Sequence, residues 1–178
     1  TAYRRQRQMC IRDSSYIGGS VFNDSQFDRV RQSYPQSGSV FKPFIYASAF
    51  SGGYNPSSLI NDAPIIFEDK NLETFWRPEN YSGKFYGLTT LREALVQSIN
   101  IVSIKLLREI GIKKSSETID NFGFGSERLP QDLSLALGSG NFSPAEVARG
   151  FSVFANDGMI SDIHYVSQIK DCLLYTSP

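Results

Sequence analysis

The densest apolar stretch of the chain, Ser39 to Phe50 (SVFKPFIYASAF), has the length and near-continuous hydrophobicity of a buried helix, closed by Ser51, Gly52 and Gly53. Pro43 lies just past the positions where a missing N–H is harmless, so the opening turn is expected to be loosened rather than broken. Four further segments are predicted to be helical. Thr89 to Gln97 has Thr89 or Thr90 as its cap, and Ile101 to Ile110 ends at Gly111. Lys114 to Phe122 is the next, and Ser143 to Asn156 has a serine cap with Pro144 in the first helical position. Tyr16 to Phe22 reads as the end of a strand, and Met159 to Lys170, after an Asp157-Gly158 turn, as the start of a strand or hairpin. Asn23 to Ser37 reads as a loop. So does Asn55 to Gly87, rich in Pro, Asn and Gly around FWRPENYSGKFYG; such long loops are uncommon unless functional, and this one is expected to wrap a site.

Composition narrows the class without naming a chemistry. With 178 residues, 40% apolar and 20% charged, the chain is expected to be one globular domain or part of one. The formal charge is zero, so no basic footprint for nucleic acid is indicated. No apolar run reaches the length of a membrane span, and no secretory signal opens the chain, so any anchor or export address is expected outside it. The single histidine, His164, has no metal-ligand spacing with the few acidic residues nearby, so no metal is expected; separately, no cofactor is expected.

Both ends carry a pattern that is better read as DNA than as protein. MCIRDS within Arg4 to Ser14 back-translates as ATG TGT ATA AGA GAC AG, and Cys172 to Ser177 (CLLYTS) as TGT CTC TTA TAC ACA TCT. The two strings are reverse complements over most of their length and resemble a transposon end used in sequencing adapters. Residues 1–14 and 171–178 are therefore expected to be translated adapter, leaving 15–170 as the native part. Cys10 and Cys172 both fall in these ends, so cysteine usage says nothing of redox compartment.

Candidate chemistry begins with Ser39 and Lys42. Three residues apart on a helix, they share a face, and a lysine lowered in pKa by burial beside Phe41, Phe44 and Ile45 could take the serine proton. The helix N-terminus and the Ser39 N–H would favour an acyl oxyanion. Alone the S-x-x-K spacing is weak: residue frequencies give on the order of one chance match in such a chain. Ser167 to Lys170 matches too, but in a strand-like stretch that would put the two side chains on opposite faces. A second candidate, Ser98-Ile99-Asn100, sits at a joint between two predicted helices and has a rival in Ser139-Gly140-Asn141. Plain capping and turn chemistry is the ordinary alternative for each.

Taken together, these segments resemble a family, the class A penicillin-binding proteins of bacteria. GSVFKPFIYASAF resembles its nucleophile helix, FWRPENYSGKFYG its substrate-side loop, LREALVQSINIVSIKLL its second-motif region, and LALGSGNFSPAEVARGFSVFANDG the stretch leading to its later strands. The resemblance implies an α/β (α+β) fold of the serine β-lactamase and D,D-transpeptidase type, here mainly the helical lobe with parts of the antiparallel sheet. It implies acyl transfer from D-Ala-D-Ala stem peptides, with Ser39 as nucleophile, Lys42 as proton acceptor, Ser98 as proton relay and Asn100 as donor to the substrate amide. Stem peptides and β-lactams are the implied ligands, and a membrane-anchored parent facing the periplasm, with a glycosyltransferase domain upstream, the implied setting.

Some positions depart from the family pattern. The third motif, Lys-Thr/Ser-Gly, is missing, since Lys114-Ser115-Ser116 does not supply it. Pro35-Gln36-Ser37 stands where Arg-Gln-Pro is frequent, and Asp28 where Asn is usual. A β-lactamase or β-lactam sensor of the same fold, or a non-catalytic wall-binding protein, are the alternatives.

Overall fold

A computed structural model describes residues 16–19, 23, 25–69 and 74–164. The Ser39 segment opens as a 3-10 turn, Gly38–Phe41, and continues as helix α1, Lys42–Ser51. Pro43 sits at the start of α1, where its missing N–H disturbs nothing, so the loosened opening takes the form of one 3-10 turn ahead of the proline. Helix α1 is buried almost all round: Phe44, Ile45, Tyr46, Ser48 and Ala49 are inaccessible to solvent. It runs through the middle of the molecule rather than along its surface.

Around it stand α2 (Leu91–Val96), α3 (Asn100–Ile110), α4 (Ile112–Asp120) and α5 (Pro144–Ala155). Helices α2, α3 and α4 all pack against α1. Thr90 caps α2 by accepting from Glu93 N, while Thr89 belongs to the preceding strand. Helix α3 begins one residue earlier than its periodicity indicates, so Asn100 lies in its first turn, not in the joint before it. Gly111 ends α3, and α4 follows at once from Ile112, two residues ahead of the predicted start. Ser143 and Glu146 close a reciprocal capping box on α5, with Pro144 in the first turn. Ser143→Ala is therefore expected to cost about 1 kcal/mol, read as a lower thermal midpoint.

The 55–87 segment is not the continuous loop its composition predicts. It contains β1 (Leu59–Asp62), β2 (Phe67–Asp69) and β3 (Thr74–Trp76), and ends where β4 (Gly87–Thr90) begins. β1 pairs antiparallel with β4 (Ile60 opposite Thr89), and β2 with β3 (Phe67 opposite Trp76). These strands are too short for a visible alternation, and β1 meets its partner far along the chain instead of across a tight turn. The strand predicted over 16–22 is absent from its described part, residues 16–19; the strand predicted over 159–170 is likewise absent from residues 159–164. The remainder of both lies outside the described residues. Among the described residues, no helix is long and apolar enough to cross a membrane.

An aromatic cluster fixes the Ser39 turn. Phe41 stacks on Phe142 at 5.6 Å between centroids and meets Phe124 edge-on at 5.1 Å, and Phe44 meets Phe124 at 4.8 Å. Because Phe41 lies between Ser39 and Lys42, burying its ring ties that turn to the hydrophobic core that also holds Phe44, Phe124 and Phe142.

Candidate active site

The 3-10 geometry decides how Ser39 and Lys42 relate. Side chains three apart eclipse in a 3-10 turn, and the Lys42 N–H donates to the Ser39 carbonyl, so Lys42 follows Ser39 on the same line along the segment. Their surroundings differ sharply. Ser39 is exposed, whereas Lys42 is only 1% exposed.

A buried ammonium is costly unless its hydrogens find acceptors. Lys42 Nζ donates to the Ser98 carbonyl at 2.6 Å, to Asn100 Oδ1 at 2.7 Å and to Ser98 Oγ at 3.0 Å. These three use all the hydrogens of the charged form. Burial nevertheless prevails and pulls the Lys42 pKa down from 10.5 to about 8. Ser98 can offer both oxygens because its backbone is left-handed, with φ 54°. That conformation is uncommon outside glycine, and here it turns carbonyl and hydroxyl toward one amine.

Of the three acceptors, two have no hydrogen to give. Ser98 O is a carbonyl, and Asn100 Oδ1 is committed as an acceptor because its Nδ2 donates to the Glu79 carbonyl at 2.9 Å. Only the Ser98 hydroxyl can reverse and donate. When Lys42 loses a proton, two N–H groups stay with the fixed acceptors and the lone pair becomes available to a hydroxyl.

The structure thus brings Lys42, Ser98 and Asn100 together, with exposed Ser39 one 3-10 turn ahead. The rival Ser139-Gly140-Asn141 lies elsewhere and has another use. Ser37 N donates to the Gly140 carbonyl at 3.0 Å, and Gly38 N to the Gly138 carbonyl at 2.9 Å. Ser37 Oγ adds bonds to the Gly138 and Gly140 carbonyls, 3.2 and 3.1 Å. These carbonyls brace the turn that carries Ser39. A proline at position 37, as in the resembled pattern, could not donate the N–H that Ser37 supplies. The Ser167–Lys170 rival lies outside the described residues. His164 is exposed, its Nδ1 near the Asp162 carbonyl at 3.4 Å, apart from this cluster.

Two residues that sequence reasoning passed over support the site. Asp62 on β1 is 1% exposed and Asn80 in the 77–86 loop 5% exposed, and the Asn80 Nδ2 donates to both Asp62 carboxylate oxygens at 2.9 Å. An acidic residue in an unrecognised strand and an asparagine in a polar loop carry no local sequence signal of such a role.

A family model described as the penicillin binding protein transpeptidase domain matches residues 15–178. The chain belongs to that family. Penicillin-binding protein 1A of Pseudomonas aeruginosa is 44% identical over 156 residues, covering 88% of this chain and 19% of the relative. Penicillin-binding protein 1A of Vibrio cholerae is 40% identical over 158 residues, 89% of this chain and 19% of the relative. The chain therefore spans about a fifth of the length of these curated relatives. Penicillin-binding protein 1A of Haemophilus influenzae, a crystal structure at 2.6 Å resolution, superposes with a TM-score of 0.85 at 35% identity, covering 90% of this chain and 24% of that one. The fold is that of the penicillin-binding transpeptidases, mixed helix and antiparallel sheet.

Proposed function

We propose that this chain is part of a peptidoglycan D,D-transpeptidase that acylates Ser39 with stem peptides ending in D-Ala-D-Ala. The observation that supports the reading best is the buried Lys42 amine. It is held by Ser98 and Asn100 and lowered in pKa to about 8, one 3-10 turn after an exposed serine. A hydroxyl needs such a base near neutral pH.

In the proposed reaction Ser39 Oγ bonds to the carbonyl carbon of the penultimate D-alanine, and its proton passes to neutral Lys42. The C–N bond to the terminal D-alanine then breaks. The leaving nitrogen takes a proton from Ser98, which is resupplied by Lys42. An amine from a neighbouring strand attacks the Ser39 ester, and its proton returns to Ser39 Oγ by the same groups; water in its place gives carboxypeptidase activity. Asn100 retains one Nδ2 hydrogen beyond the one given to Glu79, available to a substrate carbonyl. A β-lactam follows the first step only, because ring opening keeps the leaving nitrogen attached. The parent protein is proposed to be a bifunctional, membrane-anchored synthase whose domain faces away from the cytoplasm.

Fluorescent penicillin and intact mass on the complete domain test this. A stable adduct, absent in Ser39→Ala, is the expected result. Rapid loss of the adduct would point to a β-lactamase instead, and a folded complete domain that takes no label would leave the non-catalytic alternative.

A further inference from the structure

We propose that Asn80 and Asp62 are a positioning pair that sets the start of helix α3, and through it Asn100 and Lys42, for acyl transfer. The inference rests on the reading of the site given above.

A helix leaves its first N–H groups without partners, and a capping side chain at the preceding residue ordinarily satisfies one of them. The residue preceding α3 is Ile99, whose side chain cannot accept. The acceptor comes instead from the loop between β3 and β4. Asn80 Oδ1 receives the N–H of Asn100 at 3.0 Å and that of Ile101 at 3.1 Å. Its Nδ2 gives one hydrogen to the Asp62 carboxylate and the other to the Lys84 carbonyl at 2.8 Å. Two acceptor positions and two hydrogens are all engaged, which fixes the orientation of the amide: turned over, it would set N–H against N–H and oxygen against carboxylate. Asp62 is anchored in turn, accepting from Tyr86 N at 2.9 Å. Lys105, on α3 itself, clamps the carbonyls on either side of Asp62, Asn61 at 2.8 Å and Ala63 at 3.0 Å.

Adjacent loop residues therefore hold Asn100 twice. Asn80 takes its backbone N–H, and the Glu79 carbonyl takes its side-chain Nδ2. With Nδ2 held there, Oδ1 faces Lys42. Of side chains this size, only an amide at position 80 can accept from α3 while donating to a carboxylate and a carbonyl.

The test uses the complete protein and separates positioning from mere folding. Asn80→Asp keeps the acceptor for α3 but sets a carboxylate against Asp62 and the Lys84 carbonyl. At saturating β-lactam it is expected to slow acylation of Ser39 by roughly 10²-fold with little change in half-saturating concentration, as for a misplaced reacting group. Adding Asp62→Asn exchanges donor and acceptor across the pair. It should recover roughly tenfold or more of that loss, the coupling expected of groups in direct contact.

Hydrogen–deuterium exchange over residues 98–104 of the unliganded protein gives a readout free of catalysis: Asn80→Ala should speed it. Unchanged exchange there overturns the proposal. So does Asn80→Asp acylating at the wild-type rate, or an exchanged pair that regains the wild-type melting temperature but not the rate. If the wild-type protein takes no β-lactam at all, the transpeptidase reading fails, and the exchange result alone decides whether Asn80 holds α3.

Discussion

Lys42→Ala in the complete domain is expected to slow β-lactam acylation of Ser39 by about 10³-fold, the usual worth of a positioned general base. The substitution also leaves Ser98 O and Asn100 Oδ1 without the donor that orients them, so the melting temperature should fall as well. The wild-type rate should rise with pH through about 8, where the buried amine gives up its proton, and level off above. In Lys42→Ala that limb should vanish. Stability carries the same signature. Between about 8 and 10.5 the unfolded chain keeps a proton on this lysine that the folded chain has released, so stability rises with pH across that window. Stopped-flow acylation and thermal melts across pH check both, and a pH-independent wild-type rate would argue against Lys42 as the base.

The second large effect is expected at Gly138. Its φ is 72°, and a Cβ there would stand 1.9 Å from the Gly38 carbonyl oxygen and 2.7 Å from the Gly38 nitrogen. Neither neighbour is a flexible side chain; both are backbone of the turn that carries Ser39. Gly138→Ala is expected to cost roughly 2–5 kcal/mol, combining left-handed strain with overpacking, and to lower the melting temperature by roughly 10 °C. Acylation should fall as well, since the residue next to Ser39 is displaced. Gly158→Ala is the control: φ is 83° but nothing lies within 4 Å, so only the strain remains. Equal melting temperatures for the two variants would mean that the turn yields at no cost.

What was legible in the sequence is the part set by local chemistry. The buried helix after Ser39, the Thr90 and Ser143 caps and the stop at Gly111 are each signalled by residues within a turn of where they act. Ser39, Lys42, Ser98 and Asn100 could be selected only as spacings, each with a rival elsewhere in the chain. What sets the surroundings of Ser98 apart from those of the Ser139 rival is non-local: Lys42 reaches across 56 residues to Ser98, and Ser37 across 101 to Gly138. Strands β1 and β4 escaped notice for the same reason, since their pairing skips the segment between them. Asn80 escaped because a loop asparagine that caps a distant helix looks like any turn asparagine until the helix is in place.

The bracing of Ser37 by Gly138 and Gly140 has a bearing on biosynthesis. The turn that carries Ser39 is made 101 residues before its Gly138 support. At about 5–20 residues per second, roughly 5–20 s of translation separate the two. Helices α2 to α4, which pack on α1, are made within that interval, but the serine turn itself still lacks the Gly138 and Gly140 carbonyls that brace it. β-Lactam labelling of stalled nascent chains would mark when the second half arrives.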